Sequence, residues 1–156
     1  MVDVDLTVNG EPHSVSVEPR ELLSQTLRER LDCTSINIGC ESTLCGACTV
    51  QSDGQSVKSC TRLTVQEDGS NIQTVRSLTA DGVLGEIQTA FSEEHGLQCG
   101  YCTPGIIMAV DEYLETNSDP SREEIRTEAL QGNLCRCTGY DNIVDAIEVA
   151  SDALEK

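Results

Sequence analysis

The chain has 156 residues, of which 38% are hydrophobic and 3% aromatic, and its 27 acidic residues against 10 basic ones give a formal net charge of −17. That balance argues against nucleic acid as a partner, because no basic stripe is present to displace the counterions of phosphate groups. So few aromatic residues make a weak apolar core, and the nine cysteines are therefore the candidates for additional stabilisation.

The first half of the chain predicts a compact α+β domain. Residues 2–8 alternate between apolar and polar, and Asn9-Gly10 is a hairpin turn signal after which the alternation resumes. Leucines at helical spacing within 18–31 predict a helix packed across this hairpin. A second hairpin turning at Asp53-Gly54 and a short strand over 71–75 complete the domain.

The second half predicts a small bundle of four helices. The first is expected over 83–94, and the second begins where Thr103 caps and Pro104 takes the first helical position. A capping box at 121–124 predicts the third start, and apolar residues at helical spacing predict the last helix over 141–154. The pattern is typical of a helical bundle.

The N-terminus predicts a cytoplasmic chain. The stretch "MVDVDLTVNG" lacks the basic region and apolar run of a targeting segment, and no stretch approaches the ~18 apolar residues of a membrane span. In the cytoplasm clustered cysteines bind metal or do redox work more often than they form disulfides. Acidic residues spread along the chain suit the salt-rich cytoplasm of a halophile, where salt screens self-repulsion, and an ordinary acidic electron-transfer protein is the alternative.

Eight of the nine cysteines fall into two sets. The first set has the spacing C-x4-C-x2-C-x11-C and consists of Cys40, Cys45, Cys48 and Cys60. Its first three members match the plant-type 2Fe–2S ferredoxin pattern. Three sulfurs must converge on one compact anionic cluster, so the small residues Gly39, Gly46 and Ala47 are expected to keep bulk away while backbone N–H groups point at the sulfurs.

The second set combines a C-x2-C pair with a C-x-C pair, and 32 residues lie between the two pairs. Its members are Cys99, Cys102, Cys135 and Cys137. Two paired turns on a helical scaffold can close a four-thiolate site. Zinc also accepts four cysteines, and C-x2-C pairs occur in zinc modules, so spacing alone leaves both iron–sulfur and zinc interpretations open for this set.

Four motifs in register along nearly the whole chain resemble a known family. They are "GCESTLCGACTV", "SVKSC", "LQCGYCTPG" and "GNLCRCTGY". Together they resemble the small iron–sulfur subunit of the molybdenum hydroxylases, the family of xanthine dehydrogenase, aldehyde oxidoreductase and molybdenum carbon monoxide dehydrogenase. The resemblance implies a β-grasp, plant-ferredoxin-like domain over 1–76, an all-α four-helix domain over 77–156 and a 2Fe–2S cluster in each cysteine set.

The resemblance also implies a role in electron transfer, with no catalytic residue on this chain. Electrons would pass from a molybdenum–pterin centre on a large partner subunit, through both clusters, to FAD on a medium subunit. Gln98 and Cys137 would lie against the pterin. The chain ends at Lys156 without room for a flavin or molybdenum domain, which resembles a separate small subunit. A free-standing two-cluster ferredoxin and a zinc-stabilised interaction module are the alternatives.

The chain departs from the family pattern in one loop, and several residues near the two cysteine sets also carry expectations. Many relatives have a glycine-rich loop where this chain has residues 41–44, so side chains there are expected to alter either hydrogen bonding or contact with a partner. The ninth thiol, Cys33, is expected to be a small buried hydrophobe, with ligand exchange or redox sensing as the alternative. His95 is interpreted as a surface or packing residue, not a Rieske-type ligand. Tyr101 and Tyr140 are expected to be packing lids.

Overall fold

The computed structural model describes residues 1–154, and their first half forms a five-stranded sheet in the order β2-β1-β5-β3-β4. The strands are β1 (Val2–Val8), β2 (Glu11–Val17), β3 (Thr49–Ser52), β4 (Gln55–Lys58) and β5 (Asn71–Gln73). Strands β1 and β5 pair in parallel, whereas the other neighbours are antiparallel. This is the predicted β-grasp arrangement.

Both predicted hairpin turns are present. Asn9 and Gly10 have φ values of 51° and 85°, and Asp53 and Gly54 have φ values of 50° and 81°. Positive φ at both central residues defines the type I′ turn, whose twist matches that of the strands. These turns fix the register, so that the inward positions of β1 lie in the core of the sheet.

The helix after the first hairpin, α1 (Leu23–Gln25), is shorter than predicted and continues as a wider π-type turn over Thr26–Arg30. The predicted start at residue 18 was wrong. Leu22 pairs with Leu63 in an isolated β-bridge, and the backbone N–H of Leu23 donates to the carbonyl of Arg62 at 2.8 Å. Extended pairing thus keeps this segment out of the helix until Leu23.

The second half contains the four predicted helices. They are α2 (Glu86–Glu93), α3 (Thr103–Thr116), α4 (Arg122–Glu124), which continues as a π-type turn over Ile125–Ala129, and α5 (Asp141–Leu154). The capping box is confirmed, because the N–H of Ser121 donates to Glu124 Oε2 at 2.8 Å and the N–H of Glu124 donates to Ser121 Oγ. The predicted cap at Thr103 was wrong, since Cys102 occupies the N-cap and Thr103 is the first helical residue.

Each half has its own apolar core. The sheet side is built around Leu6, Leu23, Leu27, Val50 and Ile72, and the helical side around Phe91, Ile106, Val110, Ile143 and Ile147. Val75 and Leu78, from a 3₁₀ turn at Val75–Leu78, pack on the helical core. The domain boundary after residue 76 stays a prediction. Across residues 1–154, no helix is long and apolar enough to cross a bilayer.

The two halves meet where α3 packs on β3. Gln51 Nε2 donates to the carbonyl of Met108 at 3.1 Å and to Asp111 Oδ2 at 2.9 Å. A Cβ atom added at Gly105 would collide with the carbonyl oxygen of Gly46. Only glycine therefore lets this helix approach the loop that carries the first cysteine set.

Candidate metal centres

The first cysteine set lies in the loop before β3 and in the 3₁₀ turn after β4. Cys40 and Cys45 are partly exposed, whereas Cys48 and Cys60 are only 1% and 2% exposed and belong to the core of the sheet domain. The N–H and hydroxyl of Ser59 both donate to the carbonyl of Cys48, at 3.3 and 2.7 Å. These bonds bring the segments of Cys48 and Cys60 together.

Cys40 is placed to act as a thiolate. The backbone N–H groups of Ser42 and Cys45 each donate to Cys40 Sγ at 3.4 Å. Hydrogen bonds from the Ser42 side chain and then from the N–H groups of Cys45 and Ser42 lower the pKa of Cys40 to about 6. Donors aimed at a sulfur stabilise its anionic form, the form that binds metal.

The residues that depart from a glycine-rich loop lie in a backbone that favours glycine. Glu41 and Thr43 have φ values of 54° and 65°. A β-branched residue in this region is strained. The side chain of Ser42, between them, bonds Cys40. Whether this loop differs from a glycine-rich one in hydrogen bonding or in partner contact stays a prediction.

Gly39 and Gly46 are required in the loop for two different reasons. A Cβ at Gly39 would lie 2.9 Å from Cys45 Sγ, so glycine there keeps bulk away from a ligand as predicted. A Cβ at Gly46 would instead collide with Asn133 and with the carbonyl of Gly132, both from the helical half. Gly46 thus serves close contact between the domains.

The second set lies in two loops at one end of the helical domain. Cys99 and Cys102 precede α3, and Cys135 and Cys137 precede α5. Cys99 and Cys137 are exposed, with their Sγ atoms 3.5 Å apart, whereas Cys102 and Cys135 pack against the helical core. The structure therefore brings Cys99 close to Cys137, and the thiols of Cys102 and Cys135 interact in the same two loops.

Burial and hydrogen bonding act in opposite directions within the second set. Burial raises the pKa of Cys102 to about 12, and the neighbouring thiol of Cys135 adds to the shift. Burial opposes ionisation of Cys135 as well, but hydrogen bonds from Thr138, whose Oγ1 lies 3.2 Å from the sulfur, lower the pKa of Cys135. In the first set, burial likewise raises the pKa of Cys48 to about 11. Binding metal at either site must release protons.

The thiols of both sets interact in pairs. These are Cys40 with Cys45, Cys48 with Cys60, Cys102 with Cys135, and Cys99 with Cys137. A zinc site draws four thiolates around one atom, whereas a 2Fe–2S cluster takes two protein ligands on each iron. The pairs fit binuclear clusters.

The hydroxyl of Thr103, beside the second set, is a free donor of the kind that an anionic cluster would accept from. Thr103 Oγ1 is buried and has no hydrogen-bond partner among the described protein atoms. It adjoins Cys102 in the chain, where a hydroxyl can donate to a sulfur. An orphaned buried donor is costly unless a ligand satisfies it.

Hydrogen bonds join the two sites across the domain interface. The N–H of Leu134 donates to the carbonyl of Cys45 at 2.9 Å, and Leu134 directly precedes Cys135. On the other side, the hydroxyl of Tyr101 donates to the carbonyl of Ile38 at 2.9 Å. The side-chain amide of Asn37 donates back to the carbonyl of Tyr101 at the same distance. The ligand loops are thus held directly against each other.

The two tyrosines differ from each other in role. Tyr140 packs against the helical core, and its hydroxyl accepts from the N–H of Cys135 at 2.9 Å, which agrees with a packing role. Tyr101 is 50% exposed and acts through its interdomain hydrogen bonds. The interpretation of Tyr101 as a packing lid was therefore incomplete.

Sequence reasoning gave no role to Lys58. Its Nζ donates to Thr49 Oγ1 at 2.8 Å, and that hydroxyl donates to the carbonyl of Gly46 at 2.6 Å and lies 3.4 Å from Asn133 Oδ1. Burial lowers the pKa of Lys58, while the nearby thiols of the first set, when ionised, raise it. The sequence offered one indication that Lys58 is unusual, since the only other lysine of the chain is Lys156.

The remaining predicted residues lie as follows. Gln98 and Arg136 are exposed beside the second set, and His95 is exposed after α2. Cys33 is 4% exposed in the sheet core, with Sγ 3.9 Å from Thr74 Oγ1, and is therefore the buried residue that was expected.

Comparison with known proteins gives matches over almost the entire chain. The family model described as a 2Fe-2S iron-sulfur cluster binding domain matches residues 6–75, and that of a [2Fe-2S] binding domain matches residues 74–148. Caffeine dehydrogenase subunit gamma of Pseudomonas sp. (strain CBB1) is 47% identical, with 97% of this chain and 92% of the relative covered. The nicotine 6-hydroxylase small subunit of Paenarthrobacter nicotinovorans is 49% identical, with 94% and 87% covered.

A solved structure is similar over the same length. Quinoline 2-oxidoreductase from Pseudomonas putida 86 superimposes with a TM-score of 0.94 at 42% identity, covering 99% of this chain and 96% of that one. The similarity therefore includes both domains and both cysteine sets.

Proposed function

This chain belongs to the small iron–sulfur subunits of the molybdenum hydroxylases, which are parts of oxidoreductase complexes, and from that membership we propose a specific relay. The chain receives electrons from a molybdenum–pterin centre on a large partner subunit and delivers them to FAD on a medium subunit. Substrate choice then belongs to the large subunit.

Two 2Fe–2S clusters are the cofactors of this proposal. One is held in the domain placed at 1–76 and the other in the domain placed at 77–156. The ligands are Cys40, Cys45, Cys48 and Cys60 for the first, and Cys99, Cys102, Cys135 and Cys137 for the second. When bound, each cluster supplies one-electron redox chemistry. The chain contributes inward N–H groups at Cys40 and a shielded core around Cys48 and Cys60.

The observation that carries the proposal is the hydrogen bond from the N–H of Leu134 to the carbonyl of Cys45. Cys45 is a proposed ligand of the first cluster, and Leu134 adjoins Cys135, a proposed ligand of the second. One short hydrogen bond therefore connects the two ligand loops across the domain interface. If the metal sites only stabilised the fold, as in a zinc-stabilised interaction module, the two ligand loops would not need to be in contact.

The exposed edge of the second set supports contact with the pterin. Cys99 and Cys137 are exposed, and so is Gln98 beside them. We assign Gln98 and Cys137 as the pterin contacts, on the side facing the large subunit. The acidic composition suits a salt-rich cytoplasm, where we place the complex.

Elemental analysis and paramagnetic resonance of the native protein test the cofactors. We expect about four irons and about four acid-labile sulfides per chain, and two distinct signals after reduction. Zinc in place of iron, or appreciably fewer than four irons, would contradict the proposal.

Purification from its native host tests the partners. A tag on this chain should retain a molybdopterin subunit and an FAD subunit in equal amounts. A chain that purifies alone with both clusters would favour the free-standing ferredoxin instead. Reduction of the flavin on adding substrate, lost when Cys48 is replaced by Ser, would place the relay between the two centres.

A further inference from the structure

We propose that the ammonium group of Lys58 sets the reduction potential of the first cysteine set above that of the second, and so makes the first set the preferred position of an electron on this chain. The inference rests on the proposed function, since it presumes a cluster in each set. Lys58 is not a proposed ligand of either set, and its role in this inference is electrostatic.

The position of Lys58 is the first part of the argument. Lys58 ends β4 directly opposite Thr49 of β3, and each is close in the chain to a proposed ligand, Cys60 and Cys48. The bond from Nζ to Thr49 Oγ1, 2.8 Å long, directs the ammonium over the loop between Cys45 and Cys48 instead of into solvent. The positive charge is thus held beside the strand and turn that carry Cys48 and Cys60, and the ionised thiols of the first set act on it by raising the pKa of Lys58.

The surroundings of Lys58 increase the reach of its charge. The residue is half-buried, and a Cβ at Gly132 of the helical half would lie 3.9 Å from Lys58 Cε. The loop of the helical domain therefore passes close to the side chain at Gly132. Away from water the effective dielectric constant falls, and mobile ions screen a charge less. The ammonium consequently acts on the first set more strongly than a surface lysine would.

The second set has a cation of a different kind. Arg136 lies between Cys135 and Cys137, but it is exposed. Water and salt weaken the effect of an exposed charge. The two sets are therefore unequal, with a half-buried cation beside the first and a solvated one beside the second.

Charge balance gives the direction of the effect. With four thiolates, an oxidised 2Fe–2S site carries about −2, and one added electron makes it about −3. Lys58 stabilises the added charge. When one electron leaves the second set and arrives at the first, the total charge is unchanged, but it has moved toward the ammonium. The carboxylate of Glu112, which accepts from the N–H of Ser56 at 2.9 Å, opposes this and makes the effect smaller.

The test is a redox titration of the full, cluster-loaded chain followed by paramagnetic resonance at constant pH. Lys58→Met retains the length of the side chain and removes the charge. We expect the midpoint potential of one signal to fall and that of the other to stay, so that at one electron per chain the population shifts toward the second set. Lys58→Arg should keep the wild-type order of potentials.

Two further variants separate charge from structure. Thr49→Val removes the hydroxyl that Lys58 bonds but keeps the ammonium, so it should shift the potential less than Lys58→Met does. Arg136→Met should act on the other signal, and its effect should vanish in concentrated salt, where that of Lys58→Met persists. Both signals moving equally with Lys58→Met, or Thr49→Val reproducing its full shift, would overturn the inference.

The result also distinguishes this inference from the proposed function. A chain without two iron–sulfur signals defeats the proposed function, and the Lys58 inference with it. A chain with both signals and an unchanged potential in Lys58→Met defeats only the inference. The iron content of each variant, equal to that of the wild type, shows that the comparison is between loaded proteins.

Discussion

The two cysteine sets each have four thiols, but the two groups of thiols lie in different surroundings. In the first set, Cys48 and Cys60 are part of the apolar core of the sheet domain. In the second, Cys99 and Cys137 are exposed at one end of a helical core that is complete without them. The thiols of the first site are therefore part of the folded core of their domain, whereas the edge of the second site is open, as the proposed contact with a partner subunit requires.

The largest difference between the sets should appear when one ligand is removed from each. Cys48→Ser and Cys137→Ser should each lower the iron content from about four to about two per chain. Only Cys48→Ser should also lower the unfolding temperature of the metal-free chain, because it places a hydroxyl in an apolar core at a cost of about 1–3 kcal/mol. Iron analysis and thermal unfolding measure both effects.

Cys33→Ser is the matched control for this pair. Cys33 is buried in the same domain but lies outside both sets, so the variant should lose stability and keep all of its iron. Iron loss in Cys33→Ser would contradict the assignment of ligands. Equal destabilisation by Cys48→Ser and Cys137→Ser would remove the contrast between the sites.

The second largest difference is expected in thiol reactivity of the metal-free chain, where Cys40 of the first set should react much faster than Cys102 of the second. A pKa of about 6 makes Cys40 about 90% thiolate at pH 7, whereas a pKa of about 12 leaves Cys102 essentially protonated. Alkylation of Cys40 should therefore reach half its maximal rate near pH 6, be nearly pH-independent above pH 7, and exceed that of Cys102 by orders of magnitude.

Mass spectrometry of timed alkylation across pH 5–9 gives the rate at each cysteine. Thr43→Gly provides a comparison in the same loop, since it relieves the left-handed strain and leaves the donors in place. Ser42→Ala removes the side-chain bond and should move the half-maximal pH of Cys40 upward. A Cys40 rate that still rises tenfold per pH unit at pH 8 would contradict the role of these bonds.

The contact that joins the two sites should be sensitive to a single methyl group. Gly105→Ala improves helix propensity by about 1 kcal/mol, yet its Cβ collides with the carbonyl of Gly46. We expect a net loss of about 1–3 kcal/mol from overpacking in denaturant unfolding, and weaker magnetic coupling between the reduced clusters. Gly82→Ala is the control, because a Cβ there has nothing within 4 Å but is strained by a φ of 78°, so stability should fall while coupling stays unchanged.

The smallest effect is expected from one hydroxyl at the same interface. Tyr101→Phe removes the donor to the carbonyl of Ile38 and should cost about 0.5–1.5 kcal/mol, with iron content unchanged. Urea unfolding of the loaded chain measures it. Tyr140→Phe removes a hydroxyl that bonds within the helical domain and is the comparison. If Tyr101→Phe weakens cluster coupling and Tyr140→Phe does not, the hydrogen bond from Tyr101 to Ile38 contributes to the contact between the domains. If both variants weaken it equally, that bond has no special role.

The strong local patterns were sufficient to predict most elements. Alternation with Asn9-Gly10 predicted the first hairpin, and helical periodicity predicted α5 over 141–154, the residues at which the structure has it. Prediction failed at α1, where pairing of Leu22 with Leu63 overrode helix propensity. It also failed at Thr103, because the loop of the second set extends to Cys102 and moves the cap by one residue.

The cysteine spacings and the four motifs were enough to identify the family and to predict two sets of ligands, since the ligand geometry of a compact cluster restricts local spacing. Only the tertiary structure decided how the sites relate. The contact of Gly46 with Gly105, the bond from Leu134 to Cys45 and the approach of Gly132 to Lys58 each join residues more than fifty positions apart. Such pairings depend on how two domains pack, and no local period or spacing records that.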